Sequence, residues 1–145
     1  MNDQQALDPL ELLSFVRAWF RLINDHAPKE KLLALLADDG FELRFPEIRL
    51  TNKTEFNDWY REITQQYFDQ NHHVKQITII DASATGTQLG VWVNWQAKSW
   101  TAPAAYSMSQ DYDAFQRWQL VADGTGMPRI KRYIVEQLID NRKPN

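Results

Sequence analysis

The 145-residue chain has the usual length of one domain and can bury a sizeable core without covalent staples. Its formal net charge of −3, with no dense Lys/Arg cluster, disfavours a nucleic-acid backbone as partner. The lack of cysteine excludes disulfides, thiol catalysis and cysteine metal sites, and no apolar run approaches the roughly 18 residues a bilayer span requires. Met1–Asp8 is polar and acidic, without the parts of a signal peptide, so a cytoplasmic location away from membranes is expected.

A first helix is predicted from Pro9. Asp8 can cap it, Pro9 suits the first helical position, and Glu11 completes a capping-box pattern. Leu13, Val16, Phe20 and Ile23 recur at helical spacing, with Leu12, Phe15 and Trp19 widening the stripe, and Asn24-Asp25-His26 should end it. A second helix is expected from Pro28 through Leu36, terminated at Gly40. The period then becomes two: Phe41, Leu43 and Phe45 alternate with Glu42 and Arg44 as a half-buried strand stopped by Pro46, and 47–50 should pair with it. Asn52 and Glu55 form another capping box, opening a third helix striped by Phe56, Trp59, Tyr60, Ile63 and Tyr67.

From His72 onward strands are predicted over 72–80, 89–100, 105–121 and 129–139, the third with a bulge near 110–113. The tails, 1–7 and 141–145, should fray, leaving an ordered core of about 8–139 within one domain spanning 1–145. Three helices, a small hairpin and four long strands make an α+β plan, and strands this long must coil, so the sheet should wrap around the helices.

The segment Leu35-Leu36-Ala37-Asp38-Asp39-Gly40-Phe41-Glu42-Leu43-Arg44-Phe45-Pro46 resembles the entrance to the first strand in the SnoaL-like (polyketide-cyclase-like) branch of the nuclear transport factor 2-like superfamily. Phe56, Trp59 and Tyr60 are similar to that branch's third helix, and His72-His73-Val74 to the histidine that often opens its next strand, with Gln76 at the place of a frequent amide. The resemblance covers about residues 8–139. It implies a cystatin-like roll: a cone in which a curved antiparallel sheet wraps around the helices, an apolar pocket at the open end and, in many members, a homodimer through the outer sheet face. It also implies a small hydrophobic ligand and no cofactor. Isomerases, dehydratases, cyclases and binding modules share the fold, so the fold alone selects none of them.

Ketosteroid-isomerase-like members carry a catalytic Asp just before the proline that ends the first strand; Phe45 occupies that position here, which argues against that chemistry. Asp38 and Asp39 are expected in water at a helix end. Asp111, Asp113 and Arg117 are read as an outward row on the sheet rather than as a catalytic set. Histidine is the better lead, because its pKa near neutrality suits acid/base work. His72 and His73 are adjacent and so point to opposite faces; at most one enters the pocket. By alternation His73 shares its face with Lys75, Ile77 and Ile79, whereas His72 matches the family histidine.

Phe45, Trp59, Tyr60, Trp95 and Tyr106 are expected to line the pocket, with Trp59 and Trp95 as apolar wall and Tyr60 and Tyr106 as hydrogen-bond donors to a developing oxyanion. His26 has no accompanying His or carboxylate spacing, so no metal site is expected. Two functions remain open: a cofactor-independent lyase, isomerase or cyclase acting on a hydrophobic compound, or a non-catalytic dimeric adaptor or ligand carrier.

Overall fold

The computed structural model describes residues 7–83 and 86–142. Three helices, α1 (Pro9–Asn24), α2 (Lys29–Leu33) and α3 (Lys53–Gln66), accompany six strands: β1 (Glu42–Arg44), β2 (Arg49–Leu50), β3 (Tyr67–Ser83), β4 (Gly86–Ser99), β5 (Met108–Ala122) and β6 (Pro128–Asp140). They form one sheet in the order β2-β1-β6-β5-β4-β3. All neighbours are antiparallel except β1 and β6, which makes the sheet mixed where a wholly antiparallel one was expected.

Local chemistry sets two helix starts. The Asp8 carboxylate accepts from Leu10 N at 2.8 Å, and the Asn52 side chain accepts from Glu55 N at 2.9 Å. Glu55 reaches back to Thr51 N at 2.8 Å, one residue before the cap. α2 is shorter than its sequence suggests. Leu35 O and Ala37 N are both bonded to Ile130, and Leu36 bridges to Ile130 in parallel, so β6 takes the backbone that a longer helix would use. Gly40, at φ +122°, therefore turns the chain into β1 seven residues beyond the end of the helix rather than capping it.

α1 lies across the inner face of the sheet. Its Trp19 and Phe20 meet Trp118, and with Phe56, Leu43, Leu89, Leu120 and Ile130 they form a core sealed from solvent. β4 and β5 pair without interruption from Ser99↔Met108 to Thr87↔Leu120, so the bulge expected near 110–113 is absent. Three irregularities lie in β3, where the register slips between Phe68 and Asn71, between Val74 and Gln76, and between Ile79 and Asp81, and two more interrupt the β5–β6 pairing, at Phe115/Gln116 and Gln119/Leu120. β3 follows α3 directly and starts at Tyr67, five residues before the predicted strand. Residues 84–85 lie outside the described residues, as do 1–6 and 143–145 of the tails expected to fray.

The outer face carries a stacked pair, Trp92 on Phe115 (5.5 Å between ring centroids), and a polar cluster. Asn94 Nδ2 donates to Asp111 Oδ1 at 2.8 Å and to Asp113 Oδ1 at 2.9 Å, and Trp92 Nε1 donates to Asp113 Oδ2 at 2.9 Å. These bonds, Asn94's foremost, hold the Asp113 carboxyl below its ordinary value. Arg117 pairs with Glu136 at 3.5 Å. The three residues thus sit outward, as read from alternation. At the other end of the face, nearly buried Glu42 gathers Arg44 (2.8 Å), Arg49 (2.5 Å) and Arg132 (3.5 Å), a basic grouping no linear run betrays.

Candidate functional site

Along the inner face, α1 covers only part of β4 and β5. Farther along the same strands a cavity of about 460 Å³ opens, within the range of small-molecule sites. Its apolar rim is built by Phe45, just after β1, stacked on Trp59 of α3 with centroids 4.8 Å apart. Phe45 is held by the tight β1–β2 turn, where its N–H donates to Ile48 O at 2.8 Å. Trp95 of β4 forms the facing wall and meets Tyr67 edge-on at 4.9 Å.

The first slip in β3 decides which polar groups enter. Asp69 adopts φ +50°, a conformation Asp tolerates better than most residues, and the inward parity shifts from Tyr67 to Gln70 and His72. Gln70 is buried; its oxygen accepts from Trp95 Nε1 at 3.1 Å, and its amide nitrogen lies 2.9 Å from His26 Nε2. The second slip, at Lys75, restores the earlier parity, so Ile77 packs inward although it shares sequence parity with His73. Alternation through Lys75 was therefore a false guide: His72 lines the cavity and His73 is exposed. Gln76, opposite Trp92, lies on the outer side and donates to Thr78 Oγ1.

His72 stacks on Phe20 with centroids 4.8 Å apart, and its Nδ1 lies 2.6 Å from Asn24 Oδ1. Asn24 Oδ1 can only accept, so Nδ1 carries the proton and Nε2 is left with its lone pair. Burial, with a smaller push from the charge of His73, holds the imidazole at about 3, so it is neutral at physiological pH.

On the β5 and β6 side, Gln110, Tyr112, Gln116 and Tyr133 bring polar atoms to the lining. Burial pushes the Tyr133 phenol well above its ordinary value. The C-terminal segment, expected to fray, is tethered through Arg142. Asn141 N donates to Asp111 O, while Arg142 Nη2 donates to Tyr112 Oη at 2.8 Å and Nη1 to Gln110 Oε1 at 3.2 Å. Asp140 fixes the guanidinium, and its own carboxyl is lowered to about 2 by those bonds.

Two expected pocket residues are elsewhere. Tyr60 is buried in the core, and its hydroxyl donates to Ala27 O at 2.5 Å, so it has no proton to offer a ligand. Tyr106 is 84% exposed in the β4–β5 connection, because β5 begins only at Met108. Phe45, Trp59, Trp95 and His72 do line one cavity. Gln70, Tyr67, Tyr112 and Arg142 were missed or only half seen: a β-bulge and a returning tail placed them, and neither leaves a local pattern. Among the described residues no group of three or more His, Cys, Asp or Glu side chains is arranged to hold a metal ion, and no helix is long and apolar enough to cross a membrane.

No family model matches this sequence, and no curated protein matches it. Solved structures do. A candidate scytalone dehydratase from Novosphingobium aromaticivorans superposes with a TM-score of 0.64 at 17% identity, over 92% of this chain and 87% of that one. A candidate polyketide cyclase from Xanthomonas campestris gives 0.54 at 14%, over 86% and 88%. The beta subunit of the benzoate 1,2-dioxygenase of Burkholderia mallei gives 0.64 at 18%, over 89% of each. The chain therefore has the nuclear transport factor 2-like fold, in the α+β form with a curved sheet over a few helices. Its solved neighbours include polyketide-cyclase-like and dehydratase-like proteins.

Proposed function

We propose that the chain binds a hydrophobic cyclic compound in the aromatic cavity and acts on it, without a cofactor, in an elimination, isomerisation or cyclisation centred on His72. The single observation that carries this reading is His72 itself: a neutral imidazole, clamped by Asn24, bordering a cavity walled by Trp59, Trp95 and Phe45. The rings supply apolar area for a flat ligand, and Nε2 supplies an acceptor that can orient a hydroxyl or receive a proton. Burial removes the near-neutral pKa expected from sequence and leaves a weak base, so the imidazole serves this reading first as the Nε2 acceptor that orients a substrate hydroxyl. Tyr112, whose oxygen accepts from Arg142, keeps its own hydrogen to donate toward a developing oxyanion, the role first expected of Tyr60 and Tyr106.

A ligand carrier is the second reading. It is favoured by Phe45 at the position where a proton-abstracting Asp was expected, and by a solved neighbour that is a subunit of a larger enzyme. In either case a homodimer through the outer sheet face is proposed, since Trp92, Phe115 and the exposed Ile80 and Ile139 would otherwise face water.

A thermal-shift screen against hydrophobic cyclic metabolites, with size-exclusion chromatography on the same sample, tests these readings. A ligand at 100 times its Kd adds about 2.7 kcal/mol to stability. With such a ligand in hand, His72→Ala should lower turnover at least ~100-fold while leaving the fold intact. Binding without turnover in the unmodified protein establishes the carrier, and unchanged turnover in His72→Ala removes His72 from the mechanism.

A further inference from the structure

His72 also borders a second, more open recess of about 340 Å³ between α1 and β3. The α1 wall presents Arg17, Arg21 and Asn24, four and three residues apart and hence on one side of the helix. The β3 wall is His72-His73-Val74, and no carboxylate lines the space. The chain has nine arginines. Arg44, Arg49 and Arg132 meet Glu42; Arg61 meets Asp58; Arg117 meets Glu136; Arg129 meets Asp123; and Arg142 meets Asp140. Arg17 and Arg21 remain, and among the described residues neither guanidinium has an ion-pair or hydrogen-bond partner. In a chain of net charge −3, the only two arginines without a partner among those residues line the same recess.

We infer that this recess is an oxyanion site, which takes a phosphate or carboxylate group of a ligand between the Arg17 and Arg21 guanidinium groups. Guanidinium presents paired N–H donors in a planar fork matched to such groups, and two forks one helical turn apart can approach one anion from two directions. Asn24 extends the donor set. Its oxygen is committed to His72 Nδ1, which leaves its amide nitrogen able to donate to the anion. The same amide then touches both the anion and the imidazole, so occupancy of the recess is felt at His72. The site rests on α1 and β3 alone and stands whether or not the aromatic cavity binds a ligand.

The test is an NMR titration of the full chain with inorganic phosphate, at ionic strength held constant with chloride, reading the Arg Nε–H, His ring and Trp indole signals. A second titration uses benzoate. Saturable shifts are expected at Arg17, Arg21 and His73, with a Kd in the millimolar range or below (~1 mM corresponds to a modest binding energy). Arg17→Gln/Arg21→Gln should weaken binding at least tenfold. Both side chains are exposed, so thermal unfolding of the double variant should be unchanged. Response to phosphate alone assigns a phosphate ligand, and response to benzoate at the same signals assigns a carboxylate. Benzoate entering the aromatic cavity is read separately, at the Trp59 and Trp95 indoles. The site is refuted if neither anion gives a saturable shift, if binding survives in the double variant, or if the response centres on Arg44, Arg49 and Arg132.

Discussion

The two halves of the inner sheet face are made from the same strands and end differently. Where α1 lies, β4 and β5 present Leu89, Val91, Trp118 and Leu120, all at most 2% exposed, and the Trp118 ring packs against those of Trp19, Phe20 and Tyr133. Beyond its reach, β4 and β5 present Trp95, Gln110 and Tyr112, and the space stays open. The switch from aliphatic to mixed aromatic and polar residues follows the edge of helical cover, because a polar atom is tolerated only where it finds a partner or water. A packed half stabilises the fold; the uncovered half is free to bind.

That contrast predicts a graded response to mutation. Trp118→Ala, in the packed half, should cost about 3–5 kcal/mol in urea unfolding, whereas Trp95→Ala should cost only ~1–2 kcal/mol while removing any ligand-induced thermal shift. Equal costs at the two positions would erase the distinction between the halves. Next in size is an acid effect at His72. Its folded pKa of about 3 lies below the ordinary 6.5, so the unfolded chain binds the proton first. The contribution is complete above pH 6.5 and is lost as pH falls toward 3, at a slope of at most about 1.4 kcal/mol per pH unit. Chemical denaturation of the unmodified protein and of His72→Asn from pH 7.5 to 4.5 should show that slope in the first and its loss in the second.

Glu42 gives the outer-face counterpart. Hydrogen bonds and charges from Arg49 and Arg44 outweigh its burial and lower its pKa, so its contribution also fades as pH falls, but in the ordinary carboxylate range and below. Glu42→Gln should cost ~1–2 kcal/mol at pH 7, measured by thermal unfolding. The smallest effect is expected from Arg142→Ala. Thermal unfolding should be unchanged, as for other exposed pairs, while ligand affinity falls through the freed Tyr112 hydroxyl.

The parts of this molecule legible in the sequence are those that depend on neighbours along the chain. Asp8 and Pro9, or Asn52 and Glu55, announce helix starts because a cap bonds within three residues of itself. The apolar stripes of α1 and α3 and the element order follow in the same way. What stayed hidden was set at a distance. Ile130 takes the backbone of Leu35 and Ala37, Ala27 takes the hydroxyl of Tyr60, and Asp69 and Lys75 shift the parity of β3 so that Gln70 and His72 turn inward. The candidate site was therefore half readable. Its rings follow from composition and parity, but its polar atoms depend on two bulges and a returning tail.

Those bulges reach beyond the cavity. β3 is an edge strand of 17 residues, long enough to recruit another chain. Its regular stretches, 71–74, 76–79 and 81–83, are at most four residues long before the register slips. A straight incoming strand would lose its hydrogen-bond partners after each stretch, so the irregularity that aims Gln70 and His72 into the pocket also guards the protein against edge-to-edge aggregation.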